Sequence, residues 1–465
     1  MEQLDFVQLV KNEIKDKNLK YNVMTFGCQL NENDSEKISG ILEEMGFSKT
    51  ENFEDADIVI FNTCCVRENA EERLFGKLGE IKKMKEEKNT IVAIGGCMMQ
   101  EKSMLEKIKK SYKYVDIVFG THTIQTLPED IYKVINKKEK VKEVKYIDGE
   151  IIEGLPIKRN DKYRASVTIM YGCNKFCTYC IVPYVRGRER SRDPEDILNE
   201  VRELAQNGYK EITLLGQKVN SYGKDKFKYC DHEVTSEIDT FAKLLRAVCE
   251  IDGIEKVKFM SPYPKDFTDD VIDAIRDCDK ISKMIHMPIQ SGNTKVLKEM
   301  NRGYTKEEFL ELIDKMKSKI PNLHLSTDII VGFPGETEEE FEDTLDVVRK
   351  VEFEQVFMFI YSMREGTIAA AREDQIPDEI KHKRFDRLKE LYDKQVEAQN
   401  EKYIGTVQNI MIEGLSKNDE NKFAGRTDSN KVVVFEKNDK YKIGDCVNIR
   451  IIENHKWFLE GIFEK

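Results

Sequence analysis

From Tyr21 to about Asn136, short β-rich runs alternate with stretches whose apolar residues return every three or four positions. The units are YNVMTFGCQLNENDSEKISGILEEMGF, DADIVIFNTCCVRENAEERLFGKLGEIKK, NTIVAIGGCMMQEKSMLEKIKK and YVDIVFGTHTIQTLPEDIYKVI, after an amphipathic N-terminal helix. This alternation predicts a parallel, Rossmann-like α/β sheet. The charged, irregular stretch from about Val141 to Asp161 reads as a linker. A second series follows, with strands ASVTIMY, EITLLGQ, KVKFMS, MIHMPIQ, HLSTDIIVG and QVFMFIYS and helices starting near Asp193, Ser236, Asp266, Thr305 and Glu336. Six βα units predict a partial (βα)6 barrel with its site at the strand C-termini; an open doubly wound sheet is the alternative that spacing alone does not separate. VFMFIY reads as a buried strand, and His286 and His324 as packed strand residues. Past about Val396, five short strands (GTVQNIMIEGL, KFAGRTD, KVVVF, DCVNIRII, KWFLEGIFE) predict a small OB-like β-barrel. The expected domains are 19–137, 159–391 and 394–465.

Composition narrows the classes. The 465 residues are 35% charged and 40% hydrophobic, and no apolar run approaches the ~18 residues of a membrane span. The start, MEQLDFVQLVKNEIKDK, has no basic-then-apolar leader pattern, so a cytoplasmic location is expected. Eleven cysteines are far too few for a disulfide scaffold, so the thiols are free, metal-bound or catalytic. Net charge is −11, yet between Lys158 and Arg192 nine basic residues face only Asp161 and Glu189. This basic island suits a polyanion docking at one place.

Cys28, Cys64 and Cys97 each follow a predicted strand directly, at the loop into the next helix. In a parallel sheet these loops gather on one edge, so the three thiols converge on one site; the alternative for each is a small buried hydrophobe. Cys65 lies beside Cys64, and in extended backbone only one of the two faces the site. Cys173, Cys177 and Cys180 form a C-x3-C-x2-C triplet after the first strand of the second series. A structural zinc wants four ligands, whereas soft thiolates suit an iron-sulfur cluster, and three of them leave one iron open. Zinc with a distant fourth ligand, Cys230 or His232, is the other option.

The triplet resembles the radical S-adenosylmethionine (SAM) superfamily. TFGCQLNENDSE, NTCCVRENA, GGCMMQ, YGCNKFCTYCIVPYVRGRERSR, LLGQKVNSYG, HMPIQSGNTKVLKEMNRGYT, TDIIVGFPGETEEEFEDT and GRTDSNKVVVF extend the likeness from about Tyr21 to Lys465. Together they are similar to the methylthiotransferase family, most of all its dimethylallyl-adenosine branch. The resemblance implies a Rossmann-like domain, a radical SAM barrel and a TRAM barrel. It also implies two [4Fe-4S] clusters: an auxiliary one on Cys28, Cys64 and Cys97, and a SAM-binding one on Cys173, Cys177 and Cys180. SAM would be both methyl donor and radical source for methylthiolation of N6-(dimethylallyl)adenosine at carbon 2, beside the tRNA anticodon. An electron donor such as flavodoxin or ferredoxin, an unidentified sulfur donor and a monomeric state complete the implied picture.

Gln217, Gln290, Ser291 and Asp328 sit at barrel strand ends and are candidate SAM contacts, with loop caps as their plain alternative. Arg186, Arg188, Arg190 and Arg192 are candidates for phosphate or carboxylate, and Arg426, Thr427 and Lys431 for tRNA; solvated loops are the alternative. Gly332-Phe-Pro-Gly335 is a turn suited to close ligand approach. The chain departs from the expected pattern at Cys65, at Lys218, where a polar amide is expected, and at Ser261-Pro-Tyr, where Ser-His-Pro is expected. Two other readings stand beside the favoured one: the same chemistry on threonylcarbamoyl-adenosine or a ribosomal-protein aspartate, and a non-catalytic, metal-stabilised RNA-binding protein.

Overall fold

Val, Ile and Phe fill the first-series runs on both faces, which is the requirement for a parallel sheet covered on two sides. The computed structural model describes residues 3–65, 68–144, 151 and 153–464. Strands β1 (Lys20–Thr25), β2 (Ser48–Lys49), β3 (Ile58–Thr63), β4 (Ile91–Gly96) and β5 (Ile117–Val118) form one all-parallel sheet in the order β2-β1-β3-β4-β5. Helices Gln29–Glu44, Glu68–Lys88 and Lys102–Ser111 follow β1, β3 and β4. The order reverses between β1 and β3, and the edge beyond such a switch point is where open α/β sheets bind ligands. The short edge strand β2 escapes the sequence pattern because two exposed residues, Ser48 and Lys49, carry no periodicity.

The chain divides into two compact units, Met1–Phe176 with Cys180–Thr240, and Cys177–Tyr179 with Phe241–Lys465. In the first, the expected linker is not free chain: Lys158 donates its backbone N–H to the Glu36 carbonyl, and Arg159 pairs with Glu36 and Glu200. Residues 145–150 and 152 of that linker lie outside the described residues. The same unit carries β6 (Arg164–Thr168), an antiparallel ribbon of β7 (Met170–Tyr171) and β8 (Arg190–Ser191), and β9 (Glu211–Leu215), which is parallel to β6. The ribbon interrupts the βα alternation; Gly172, at φ +70°, permits it, since a Cβ there would sit 2.0 Å from the Arg188 carbonyl oxygen.

The second unit continues with β10 (Lys256–Phe259), β11 (Met284–His286), β12 (His324–Val331) and β13 (Gln355–Ile360), the last three in parallel register. Helices Phe241–Cys249, Asp269–Asp277, Lys306–Lys319 and Glu338–Val351 alternate with these strands. The last two start on capping boxes, Thr305 with Glu308 and Thr337 with Glu340. This alternation is that of the expected partial (βα)6 barrel. Helix Asp378–Glu401 was not foreseen, because its charge-rich surface blurs the apolar stripe; it buries Leu388, Tyr392 and Val396. VFMFIY is a strand but not a buried one: Val356 is buried, whereas Phe357 and Phe359 are 40% and 45% exposed. Period-two geometry puts these phenylalanines on the face opposite the helices.

Strands β14 (Val407–Ser416), β15 (Asp419–Arg426), β16 (Val432–Glu436), β17 (Cys446–Asn454) and β18 (Leu459–Phe463) close a barrel in the order β14-β15-β16-β18-β17. Its core is Ile410, Ile412, Phe423, Val433, Phe435, Val447, Ile449, Ile451 and Leu459. Among the described residues no helix is long and apolar enough to cross a membrane.

Candidate active site

Cys28 caps the N-terminus of helix Gln29–Glu44, Cys64 follows β3 and Cys97 opens a tight turn after β4. Three adjacent strands thereby deliver three thiols to one sheet edge. Asn31 is the hub: its Oδ1 accepts from the thiols of Cys28 and Cys97, each at 3.8 Å, and its Nδ2 holds the Phe26 and Thr63 carbonyls. Cys64 lies against Gly27, where a Cβ would approach its Sγ to 3.1 Å. Cys28 is exposed while Cys64, Cys65 and Cys97 are buried, so the site opens on one side.

Arg186 enters this pocket. Its Nε donates to Cys97 Sγ at 3.2 Å, and its Nη2 reaches Asn31 Oδ1 and Asp34 Oδ2 at 2.8 Å each. Burial opposes its charge, but Cys97, Asp34 and Cys28 raise its pKa well above the ordinary arginine value. A hydrogen bond from Cys65 lowers the Cys97 thiol to about 7; burial opposes that shift and Arg186 adds to it. The same bond, with burial, pushes Cys65 well up. Cys65 therefore reaches Cys97, and Cys64 and Cys65 both lie in one buried cluster with it. The Arg67 of NTC-x-x-R lies outside the described residues.

This donor set fits an anionic iron-sulfur cube better than a single ion. Three thiolates leave a tetrahedral ion one ligand short, whereas a cube offers each thiolate a separate iron. The buried Arg186 supplies the countercharge.

In the second cysteine loop, Cys173 and Cys180 count with the first unit and Cys177 with the second. Cys173 Sγ accepts the Lys175 N–H at 3.5 Å, and Glu189 accepts the Asn174 N–H at 3.0 Å. Lys218, the departure from pattern, is tied to Glu189 at 3.3 Å and so braces this loop. Cys177 Sγ accepts from Arg302 Nη1 at 3.5 Å, while Arg302 also donates to Tyr304 and the Pro288 carbonyl and lies over the rings of Tyr263 and Tyr304. Of the ligands the zinc alternative would draw on, Cys230 lies half-buried, and burial with the carboxylates of Asp193 and Asp225 pushes its thiol up to about 11. His232 is held by Asp193 and Asp231.

The remaining candidates separate. Gln217, after β9, has a buried Oε1 to which no side chain or backbone group of the described residues donates. Gln290 adopts φ +78°, a strained conformation for a non-glycine residue. Ser291 is fully buried and accepts the Asn293 N–H, so it shapes its turn. Asp328 lies 3.3 Å from His286 Nε2. Of the basic island, Arg192 is locked by Glu153, Glu200 and the Thr168 carbonyl, and Arg190 is buried over Tyr171. Arg188 alone of the four arginines is exposed. The island thus divides: Arg186, Arg190 and Arg192 are buried, with Arg186 and Arg192 paired to carboxylates, while Lys158, Lys162 and Arg188 stay exposed. Thr427 is buried and caps the turn to Lys431, whose Nζ pairs with Glu354 at 2.7 Å; Arg426 holds the Asn430 carbonyl. Asn31, Asp34, Glu189 and Arg302 escaped the sequence reading, although the unbroken run of five polar residues Asn31–Ser35 at the start of an otherwise amphipathic helix was a usable sign.

The barrel, with a cysteine triplet at the end of its first strand, defines the radical SAM class, and residues 167–348 match the Radical SAM superfamily. Residues 20–120 match the uncharacterized protein family UPF0004 and 401–463 the TRAM domain. A protein of Clostridium botulinum (strain Okra / Type B1) named tRNA-2-methylthio-N(6)-dimethylallyladenosine synthase is 52% identical over 443 residues, 95% of this chain and 96% of that one. One of the same name from Thermoanaerobacter pseudethanolicus is 51% identical over 97% of this chain and 94% of its own. The chain belongs to the tRNA-2-methylthio-N(6)-dimethylallyladenosine synthase family. Among solved structures, the radical SAM methyltransferase TsrM from Kitasatospora setae shares the fold, with a TM-score of 0.54 at 13% identity over 76% of this chain and 77% of that one.

Proposed function

We propose that this chain methylthiolates N6-(dimethylallyl)adenosine at carbon 2, at the adenosine 3′-adjacent to the anticodon of tRNAs reading codons that begin with uridine. The carrying observation is 52% identity across 95% of the chain to relatives named for that product. The reading includes two [4Fe-4S] clusters, one on Cys28, Cys64 and Cys97 and one on Cys173, Cys177 and Cys180. Bound there, the clusters and SAM supply the radical and sulfur chemistry that a non-acidic aromatic C–H demands. The chain's own residues hold and shield: Arg186 neutralises the first thiolate set, and Arg302 steadies Cys177.

The division of labour follows 19–137 for the auxiliary site, 159–391 for radical generation and 394–465 for RNA. Arg188 and the hairpin around Arg426 offer cations to tRNA phosphates. A flavodoxin- or ferredoxin-type donor supplies electrons to a monomeric, cytoplasmic enzyme. The test is an anaerobic reaction of cluster-loaded protein with SAM, a reductant and tRNA carrying dimethylallyl-adenosine. Mass spectrometry of the digested nucleosides should show a methylthio group in place of hydrogen; 5′-deoxyadenosine without that product would contradict the assigned substrate.

A further inference from the structure

The open face of β11, β12 and β13 carries Phe357, Phe359 and His286, which the proposed cluster and SAM contacts leave unused, beside Asp328, which His286 holds. Parallel register places Asp328 beside Phe357 and Ile330 beside Phe359, with His286 beside Ser326. The opposite face, with Leu325, Thr327, Ile329, Val331 and Val356, is buried. In a βα unit the helices cover one face and leave the other open. One exposed phenylalanine on a protein surface is ordinary, but Phe357 and Phe359 stand two residues apart on this open face, 40% and 45% exposed. A built polar edge adjoins them. His286 shares Nδ1 with Ser326 Oγ at 3.0 Å and Nε2 with Asp328 Oδ2 at 3.3 Å, and its ring meets Phe357 edge-on at 5.9 Å.

We propose that this face seats the apolar N6 substituent of the acceptor base, with Phe357 and Phe359 as its floor and Asp328 excluding substituents that carry a negative charge. The inference rests on the reading that the acceptor is a prenylated adenosine. A five-carbon dimethylallyl group offers apolar area and no hydrogen-bonding atoms, matching two phenyl faces. A substituent ending in a carboxylate, such as threonylcarbamoyl, would bring a like charge beside Asp328 and lose its water without a partner. His286, anchored to Ser326 and touching both Asp328 and Phe357, positions the two.

The experiment measures binding of the full-length, cluster-loaded protein to anticodon stem-loop RNAs bearing adenosine, dimethylallyl-adenosine or threonylcarbamoyl-adenosine at the same position. The unaltered protein should favour the prenylated over the plain RNA by at least about tenfold. Phe357→Ala/Phe359→Ala should reduce that ratio to within about twofold, whereas Phe357→Leu/Phe359→Leu, which keeps apolar area, should retain most of it. Asp328→Asn should relax discrimination against the threonylcarbamoyl RNA by about tenfold or more. Thermal melting and iron content establish that each variant is folded and loaded, and the single alanine variants should each lose part of the preference if the double variant does not fold. An unchanged preference in the folded alanine variants, or unchanged discrimination in Asp328→Asn, overturns the seat. Failure of the unaltered protein to methylthiolate any prenylated RNA would instead overturn the functional reading, so the two failures are distinct.

Discussion

Cys28, Cys64 and Cys97 are dozens of residues apart and are gathered by three neighbouring strands, whereas Cys173, Cys177 and Cys180 lie within one eight-residue loop. The first set exists only when a whole sheet has formed; the second is written into local sequence. Yet each receives a buried arginine from elsewhere in the chain, Arg186 at Cys97 and Arg302 at Cys177. A thiolate inside a protein needs a nearby cation whichever way it arrived there. The partners of the two arginines differ: Arg186 is paired with a buried carboxylate, Asp34, while Arg302 is held by hydroxyl, carbonyl and aromatic groups. Substitutions can therefore separate the two sites.

The largest effect is expected at the local site. Cys177→Ala should abolish 5′-deoxyadenosine formation, read by chromatography of anaerobic reactions, while leaving thermal stability near that of the unaltered protein. Next comes Arg186→Met, which strands Asp34 without its cation and should cost about 3–5 kcal/mol in urea unfolding together with iron from the first site. Arg302→Met leaves no buried carboxylate behind, so about 1–3 kcal/mol is expected, with slower SAM cleavage as the main readout. Gly27→Ala, at φ +139° with a Cβ 2.6 Å from Cys64 Cβ, should cost about 1–3 kcal/mol and displace Cys64, measured by melting and iron content. Cys65→Ser should do least, about 1 kcal/mol, because a hydroxyl still donates to Cys97; retained iron in that variant, against its loss in Cys64→Ser, identifies the ligand.

Much of this was legible from spacing. Cysteines directly after apolar runs in successive βα units had to meet at one sheet edge, and they do so on β1, β3 and β4. What was not legible has physical causes. Pattern reading gives each residue a face but not a partner, so the arginines of 186–192 looked like one basic patch although Arg186 and Arg192 are buried and paired, with Asp34 and with Glu153 and Glu200. Lys431, placed by pattern in a hairpin, is tied to Glu354, a partner that sequence spacing does not reveal. The apolar run at β13 looked buried because sequence cannot tell a face covered by helices from one facing a barrel interior. Cys65 reaches Cys97 because strict alternation ends where β3 ends, at Thr63.

The central claim is that the strand-gathered thiols and the loop thiols serve different half-reactions. The most direct measurement compares 5′-deoxyadenosine with methylthiolated nucleoside in single anaerobic reactions of Cys97→Ala and unaltered protein on dimethylallyl-adenosine tRNA. The account predicts that Cys97→Ala still releases 5′-deoxyadenosine but forms no methylthio product. Methylthio product from Cys97→Ala, or loss of SAM cleavage in a folded variant that keeps iron on Cys173, Cys177 and Cys180, would contradict it.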